Sequence, residues 1–265
     1  MGQNGHINTS VPAMSAWRAI FALMIREINS TYGRSPGGYV WAVLQPIGMI
    51  ALLSFGFSLL IRSPSLGTSF LLFYATGFLP YDLYNQLQSK IYKALTFSRP
   101  MLAYPRVTWI DAIFARFFLN TLTLIAVFCI VITIVLMIVN DRAVIDLVPI
   151  IVGIVMTAAV GLGVGTLNCL IVGLFPVWDI FWKIFSRPMF IASGVLFILE
   201  DMPPFAQSIL WWNPLIHATG LVRTGFYPTY EASYVSVGYG FGFAMLTFAA
   251  GLLFMRAYHE KVLEL

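Results

Sequence analysis

The sequence predicts an all-α polytopic membrane protein, and three observations carry that prediction. The chain of 265 residues is 59% hydrophobic and only 10% charged, whereas soluble domains carry about a quarter charged residues. Its mean hydropathy is +0.85, and several apolar runs reach the roughly 20 residues that a helix needs to cross a bilayer. Those runs are continuous and do not alternate, which disfavours a transmembrane β-barrel.

The elements follow in order. Residues 1–13 read as a disordered cytoplasmic tail, polar and without the basic start of a signal peptide. Residues 14–260 read as one transmembrane domain. It opens with an amphipathic helix over residues 14–30, in which Trp17, Ile20, Phe21, Met24 and Ile28 form one stripe and Arg18 and Glu27 lie away from it. That pattern is too short to span, so the helix is expected to lie along the interface. Six spans are predicted, over residues 37–61, 70–89, 112–139, 148–173, 177–199 and 235–255.

Six spans put both termini on one side. Of the 15 Lys and Arg residues, only Arg62, Arg142 and Arg223 fall on the opposite side, so both termini are expected in the cytoplasm. The excess of basic residues therefore reports topology and does not call for nucleic acid. Cys129 and Cys169 lie inside predicted spans and suggest no disulfide or metal site.

Span one starts unusually, with YGRSPGGYVWAVLQP. Ser35 and Pro36 read as a hydroxyl cap followed by a first-turn proline. Pro46 predicts a kink, and Gln45 beside it favours a protein-facing or water-facing position. Arg34 sits at the cytoplasmic mouth, with Tyr39 and Trp41 just inside. In span two, Asp82 lies among Tyr81, Tyr84, Asn85, Gln86 and Gln88. An intramembrane acid needs a partner or water. It is read either as a structural ion pair with Arg34, Arg116 or Lys183, or as part of an inner gate.

Arg34, Lys183 and Arg187 suit either plain positive-inside topology or attraction of an anionic head group. Tyr39, Trp41, Tyr74, Phe78 and Tyr81 suit packing, or aromatic faces that hold C–H groups of a ligand without gripping specific hydroxyls. Residues 90–108 read as a coupling segment, with Phe97, Arg99, Pro100 and Met101 joining an apolar plug to a charge. Residues 200–234 read as two short re-entrant or interfacial helices on either side of Asn213, where Asn213 caps and Pro214 starts the second. Trp211, Trp212, Asn213, Pro214 and His217 form the expected external gate, and the lone His217 is read as a structural hydrogen bonder, with no metal site. The glycines of GLGVGTLNC (Gly161, Gly163, Gly165), and of Gly238, Gly240 and Gly242, are read as close helix packing.

No GxxxxGK[ST] phosphate loop occurs in the chain, so ATP-driven transport would require a separate ATPase, and no catalytic residue or cofactor is assigned to this chain. Six packed helices leave little room for a polymer-sized path, which favours a dimer. The motifs IREINSTYGRSPGGYVWAVLQP, GFLPYDLY, RPMLAYPRVTWIDAIFAR and WNPLIHATGLVRTGFYP, in that order, resemble permeases of ABC-type polysaccharide exporters, the capsule and O-antigen group.

That resemblance implies a homodimer carrying two cytoplasmic ATPase subunits, with ATP and Mg bound on those partners. It further implies a bacterial inner-membrane location, lipid-linked and acidic capsular polysaccharide as cargo, and periplasmic or outer-membrane export partners. The alternatives are an exporter of O-antigen, teichoic acid or a smaller lipid or drug. From different classes stand a membrane-embedded glycan transferase or synthase, which would need convergent acids or a His/Asp pair on a membrane face, and a stand-alone channel or ion-driven transporter, which would be expected to show internal repeats.

Overall fold

The computed structural model describes residues 13–31, 37–102, 107–139 and 145–264. Within them the chain is helical, with no strand. The helices are α1 (Ala13–Thr31), α2 (Gly38–Ser58), α3 (Phe70–Tyr92), α4 (Ala94–Leu102), α5 (Trp109–Val139), α6 (Leu147–Leu174), α7 (Val177–Ala192), α8 (Pro204–Leu210), α9 (Pro214–Phe226) and α10 (Val237–Glu264).

Four of them, α2, α5, α6 and the Val237–Tyr258 part of α10, are long and apolar enough to cross a membrane. The other two predicted spans depart from that pattern for different reasons. α3 has the length, 23 residues, but carries Asp82, Asn85, Gln86 and Gln88 and is buried continuously from Leu72 to Tyr84. α7 stops at Ala192 after 16 residues, about 24 Å at 1.5 Å per residue, short of the roughly 30 Å hydrocarbon core. The remainder of predicted span five is irregular, with Gly194 at φ 71° turning the chain, a conformation that side chains with a Cβ seldom adopt.

α6 is the hub, packing on α3, α9 and α10. Its glycines permit this. A Cβ at Gly163 would stand 2.6 Å from Ala244 O of α10, one at Gly165 2.8 Å from Ile91 Cβ of α3, and one at Gly153 2.8 Å from Val222 of α9. The close-packing expectation thus holds for the α6 run and for Gly240, which meets Met156, but not for Gly238 and Gly242, which face open space.

Two helix starts are capped as side-chain chemistry predicts: Ser69 accepts from Leu72 N at 3.4 Å and Asp146 from Val148 N at 3.0 Å. α2 is different. Ser35 and Pro36 lie outside the described residues, and the helix begins at Gly38 behind Gly37, whose φ of 78° is left-handed and which makes no side-chain cap bond. Pro46 lies inside α2 and is buried.

α1 is helical as expected, but its faces are reversed in part. Ile20, Leu23 and Glu27 are buried while Trp17, Phe21 and Ile25 are exposed. The protein-facing side is set by a buried acid and not by the largest apolar residues, because Glu27 meets a cation on α5.

Candidate functional site

α3 carries Phe78, Tyr81, Asp82 and Asn85 at three- and four-residue spacing, which puts them on one helix face. α2 turns Gln45 and Met49 toward that face, and α7 brings Phe190. Together they bound a cleft of about 390 Å³, in the range of small-molecule sites. Phe190 meets Phe78 edge-on at 6.3 Å and Tyr81 at 5.3 Å between ring centres. The Tyr81 hydroxyl donates to Ser186 O at 3.2 Å.

Asp82 is 7% exposed, and its Oδ2 accepts from Gln86 Nε2 at 2.7 Å. None of the expected cations pairs with it among the described residues. Arg116 pairs with Glu27 and Lys183 with Asp179, while Arg34 lies outside the described residues. Of the ion pairs weighed for Asp82, those with Arg116 and Lys183 are not formed, because both cations pair with other acids, and its recorded partner is the neutral amide of Gln86.

α7 closes one side of the cleft without burying a single residue of its own. Polar pins hold it instead. Trp178 Nε1 donates to Asn168 Oδ1 at 2.8 Å, Trp182 Nε1 to Gln88 Oε1 at 3.0 Å, and the Tyr92 hydroxyl to Asp179 Oδ1 at 2.9 Å. Its outer face, with Ile180, Phe181, Ile184 and Phe185, is exposed. The cleft thus combines amide, carboxylate and aromatic groups on its α3 wall with Gln45 of α2 and Phe190 of α7, and both flanking helices leave apolar faces open beside it. Such a surface can hydrogen-bond hydroxyl groups and stack against the C–H faces of rings.

The expected path residues divide. Phe78, Tyr81 and Asp82 come together in the cleft. Trp41, four residues before Gln45 on α2, shares its helix face and is 63% exposed. Tyr39 lines a separate hollow between α2 and α5, with Val43 and Leu122. Tyr74 is 2% exposed and packs among Phe57, Phe70 and Phe73 in the core. Lys183 and Arg187 are exposed on α7 outside the cleft lining.

In the coupling segment, Arg99 and Pro100 are exposed, and Met101 packs toward Ile20 and Leu23 of α1. Phe97 is half-buried, with the guanidinium groups of Arg26 and Arg116 over its ring. Part of this segment, residues 103–106, lies outside the described residues.

On the other end of the bundle, α8 and α9 flank Asn213 as expected, but α9 is no surface helix. Eleven of its 13 residues are buried. Asn213 Oδ1 accepts from Leu215 N at 3.1 Å, and Pro214 occupies the first turn. Asn213 Nδ2 also donates to Ala192 O at 3.0 Å and Thr219 Oγ1 to Ser193 O at 2.9 Å. Arg223 Nη1 donates to Phe197 O at 2.8 Å and Nη2 to Val195 O at 3.2 Å. Side chains of α9 therefore satisfy the carbonyls that the early end of α7 leaves open.

His217 is enclosed by Trp211, Tyr234 and Tyr239. It accepts at Nδ1 from Ser236 N (3.2 Å), so the ring proton sits on Nε2, 2.8 Å from Trp211 O. Burial pushes this imidazole below its ordinary value. Trp212 is 67% exposed.

Sequence reasoning missed Phe190, Arg223 and the Glu27–Arg116 pair. Arg223 had a signal, a lone cation between Gly220 and Gly225 in an apolar segment. Glu27 had none, since helical periodicity assigns a lone acid to the wet face.

The family described as "ABC-2 type transporter" matches residues 18–227. The chain belongs to the ABC-2 type transporter family. It is a transport permease component and not an enzyme, with ATP hydrolysis on a separate subunit. It is 27% identical over 242 residues to "Polysialic acid transport protein KpsM" of Escherichia coli, covering 91% of this chain and 94% of that protein. It is 25% identical over 246 residues to "Capsule polysaccharide export inner-membrane protein BexB" of Haemophilus influenzae, covering 92% of each. With "Capsule polysaccharide export inner-membrane protein CtrC" of Neisseria meningitidis serogroup B it shares 22% over 222 residues, 84% of each.

Proposed function

We propose that this chain is the membrane half of an ATP-driven exporter that carries a lipid-linked, acidic capsular polysaccharide from cytoplasm to periplasm across the inner membrane. The observation that carries the reading is the cleft on α3, where Asp82, Asn85 and Gln45 line one hollow together with Phe78, Tyr81 and Phe190 inside an otherwise apolar bundle. A sliding glycan needs amides for its hydroxyls and rings for its C–H faces. The names of the full-length relatives support this cargo class.

In this reading the chain crosses the membrane six times. The four apolar helices are joined by α3, whose polar groups are enclosed, and by α7 with the α9-held segment after it. Both termini are cytoplasmic, and α1 lies along the inner interface with Trp17, Phe21 and Ile25 toward lipid. Two copies face each other across the apolar faces of α2 and α7, so that the two clefts line one path. Arg34, Lys183 and Arg187 gather the anionic head group at its mouth. The exposed face of α4, with Arg99 and Pro100, receives the ATPase, of which two copies bind ATP and Mg. Trp211, Trp212 and the α8–α9 pair form the outer gate, where periplasmic or outer-membrane partners take over the polymer.

The test is a chromosomal deletion complemented with wild type or with Asp82→Leu, followed by fractionation of surface and cytoplasmic polysaccharide. Long polymer trapped in the cytoplasm of the deletion and of the Asp82→Leu strain is the expected result. Normal surface polysaccharide in the deletion would overturn the reading. Polymer missing from every compartment would point to a synthase instead.

A further inference from the structure

Phe97, on α4, has two guanidinium groups over its ring. The Arg116 guanidinium carbon stands 4.0 Å from its ring centre and that of Arg26 stands 5.3 Å away. Arg116 comes from α5 and is 5% exposed. Its Nη1 donates to Lys90 O at the end of α3 at 2.6 Å, and its Nε lies 3.3 Å from Glu27 Oε2 of α1. Asn120, one turn further along α5, donates to the other Glu27 oxygen at 3.2 Å. A single network thus ties α1, α3, α4 and α5 together.

The charges explain why the ring is needed. The buried Glu27 carboxylate is taken by Arg116 and Asn120, and no ion pair joins it to Arg26 among the described residues. Arg26 Nη1 is buried with no hydrogen-bond partner among the described residues. The negative face of Phe97 is what meets its charge. α4 has little else to hold it, since only Ala94, Leu95 and Ser98 are buried in it, and two of these are small. Stability alone does not demand such an arrangement, because buried ion pairs are often replaceable by apolar side chains at no loss. What a ring gripped by two fixed cations provides is a defined register between helices.

We propose that Phe97 is the positioning residue of the coupling segment, clamped by Arg26 and Arg116 with Glu27 fixing Arg116, so that a displacement of α4 is transmitted to α1 and α5 together. This rests on the reading of α4 as the segment that receives the ATPase. Phe97 is then an internal grip and not a plug inserted into the partner.

The experiment uses the complete permease–ATPase complex in liposomes and reads polymer exported per ATP hydrolysed, with co-purification of the ATPase as a separate measurement. Phe97→Leu keeps an apolar side chain of similar size and loses the π face, whereas Phe97→Trp keeps the face. The expected result is a fall in the export-to-hydrolysis ratio of roughly tenfold for Phe97→Leu and less than twofold for Phe97→Trp, with the ATPase bound in both. Glu27→Gln combined with Arg116→Gln removes the pair without leaving a bare charge, and is expected to assemble and to be uncoupled to a similar degree. A wild-type ratio in Phe97→Leu or in the double variant overturns the proposal. So does equal loss in the Leu and Trp variants, or loss of ATPase binding in Phe97→Leu. Arg99→Glu tests the underlying reading separately, because an unaltered ATPase association in that variant would remove α4 as the docking segment whatever the clamp does.

Discussion

Arg223→Met probes how the irregular chain after α7 is held. The guanidinium is 2% exposed, donates to the carbonyls of Phe197 and Val195 at 2.8 and 3.2 Å, and lies 4.3 Å from the Phe73 ring centre. Methionine keeps much of the aliphatic stem and supplies no donor. Each charge-assisted hydrogen bond is worth about 1.5–3 kcal/mol and the desolvated ring contact about 2 kcal/mol. Relief from burying a cation offsets part of this. The net loss is therefore roughly 2–4 kcal/mol, a fall of about 30- to 1000-fold in the folded-to-unfolded ratio. Cys169 offers a built-in reporter. It is a free thiol at 2% exposure, packed with Tyr92, Leu95 and Met255 in a cluster separate from Arg223, so its reaction with a thiol dye follows global unfolding. Exposed Cys129 is replaced by serine in the background. Labelling of Arg223→Met at the wild-type rate through a thermal ramp would refute the reasoning, and would mean that α9 packing alone holds the segment.

The same dye assay checks two further expectations. Gly163→Val, whose Cβ would stand 2.6 Å from Ala244 O, should force α6 and α10 apart at about 1–3 kcal/mol. Gly238→Ala, in open space, should unfold like wild type, and equal behaviour of the two variants would contradict the packing account. His217 has a pKa lowered by burial, so the unfolded chain binds its proton more readily than the native one. Its contribution is complete above the ordinary imidazole value of about 6.5 and is lost as pH falls below it toward the depressed native value. His217→Gln should flatten that part of the stability–pH curve, and an unchanged slope would show that other groups set it.

The helix inventory was legible because long apolar runs and Pro, Gly and Ser punctuation are local. α5 and α6 end within three residues of their expected limits, and the α8–Asn213–α9 arrangement follows from one cap and one proline. What local patterns missed is tertiary. Glu27 looked like a wet-face residue because its partner Arg116 is 89 positions away in the chain, and no periodicity can anticipate that. Span five looked complete because residues 193–199 are apolar, yet Gly194 ends the helix and donors from α9 make the break tolerable. Part of the cleft was readable: Phe78, Tyr81 and Asp82 lie on one face of α3 by spacing alone. Phe190 was not, since only the crossing of α7 over α3 brings it there.

Charge accounting across the bundle then singles out Asp82. Among the described residues, five Asp, Glu or Arg side chains are buried: Glu27, Asp82, Asp111, Arg116 and Arg223. A buried charge is expensive unless matched, and among these only Glu27 and Arg116 are matched by an opposite charge. Asp111 closes the start of α5 by accepting from Thr108 N and Oγ1 at 2.9 and 2.8 Å. Arg223 is met by two carbonyls. Asp82 receives one neutral amide from its own helix and turns its remaining acceptor capacity into the cleft. A carboxylate kept there contributes nothing that leucine would not supply to packing. In the proposed reading, what passes through the cleft supplies further donors to it, as the hydroxyl groups of a moving glycan would.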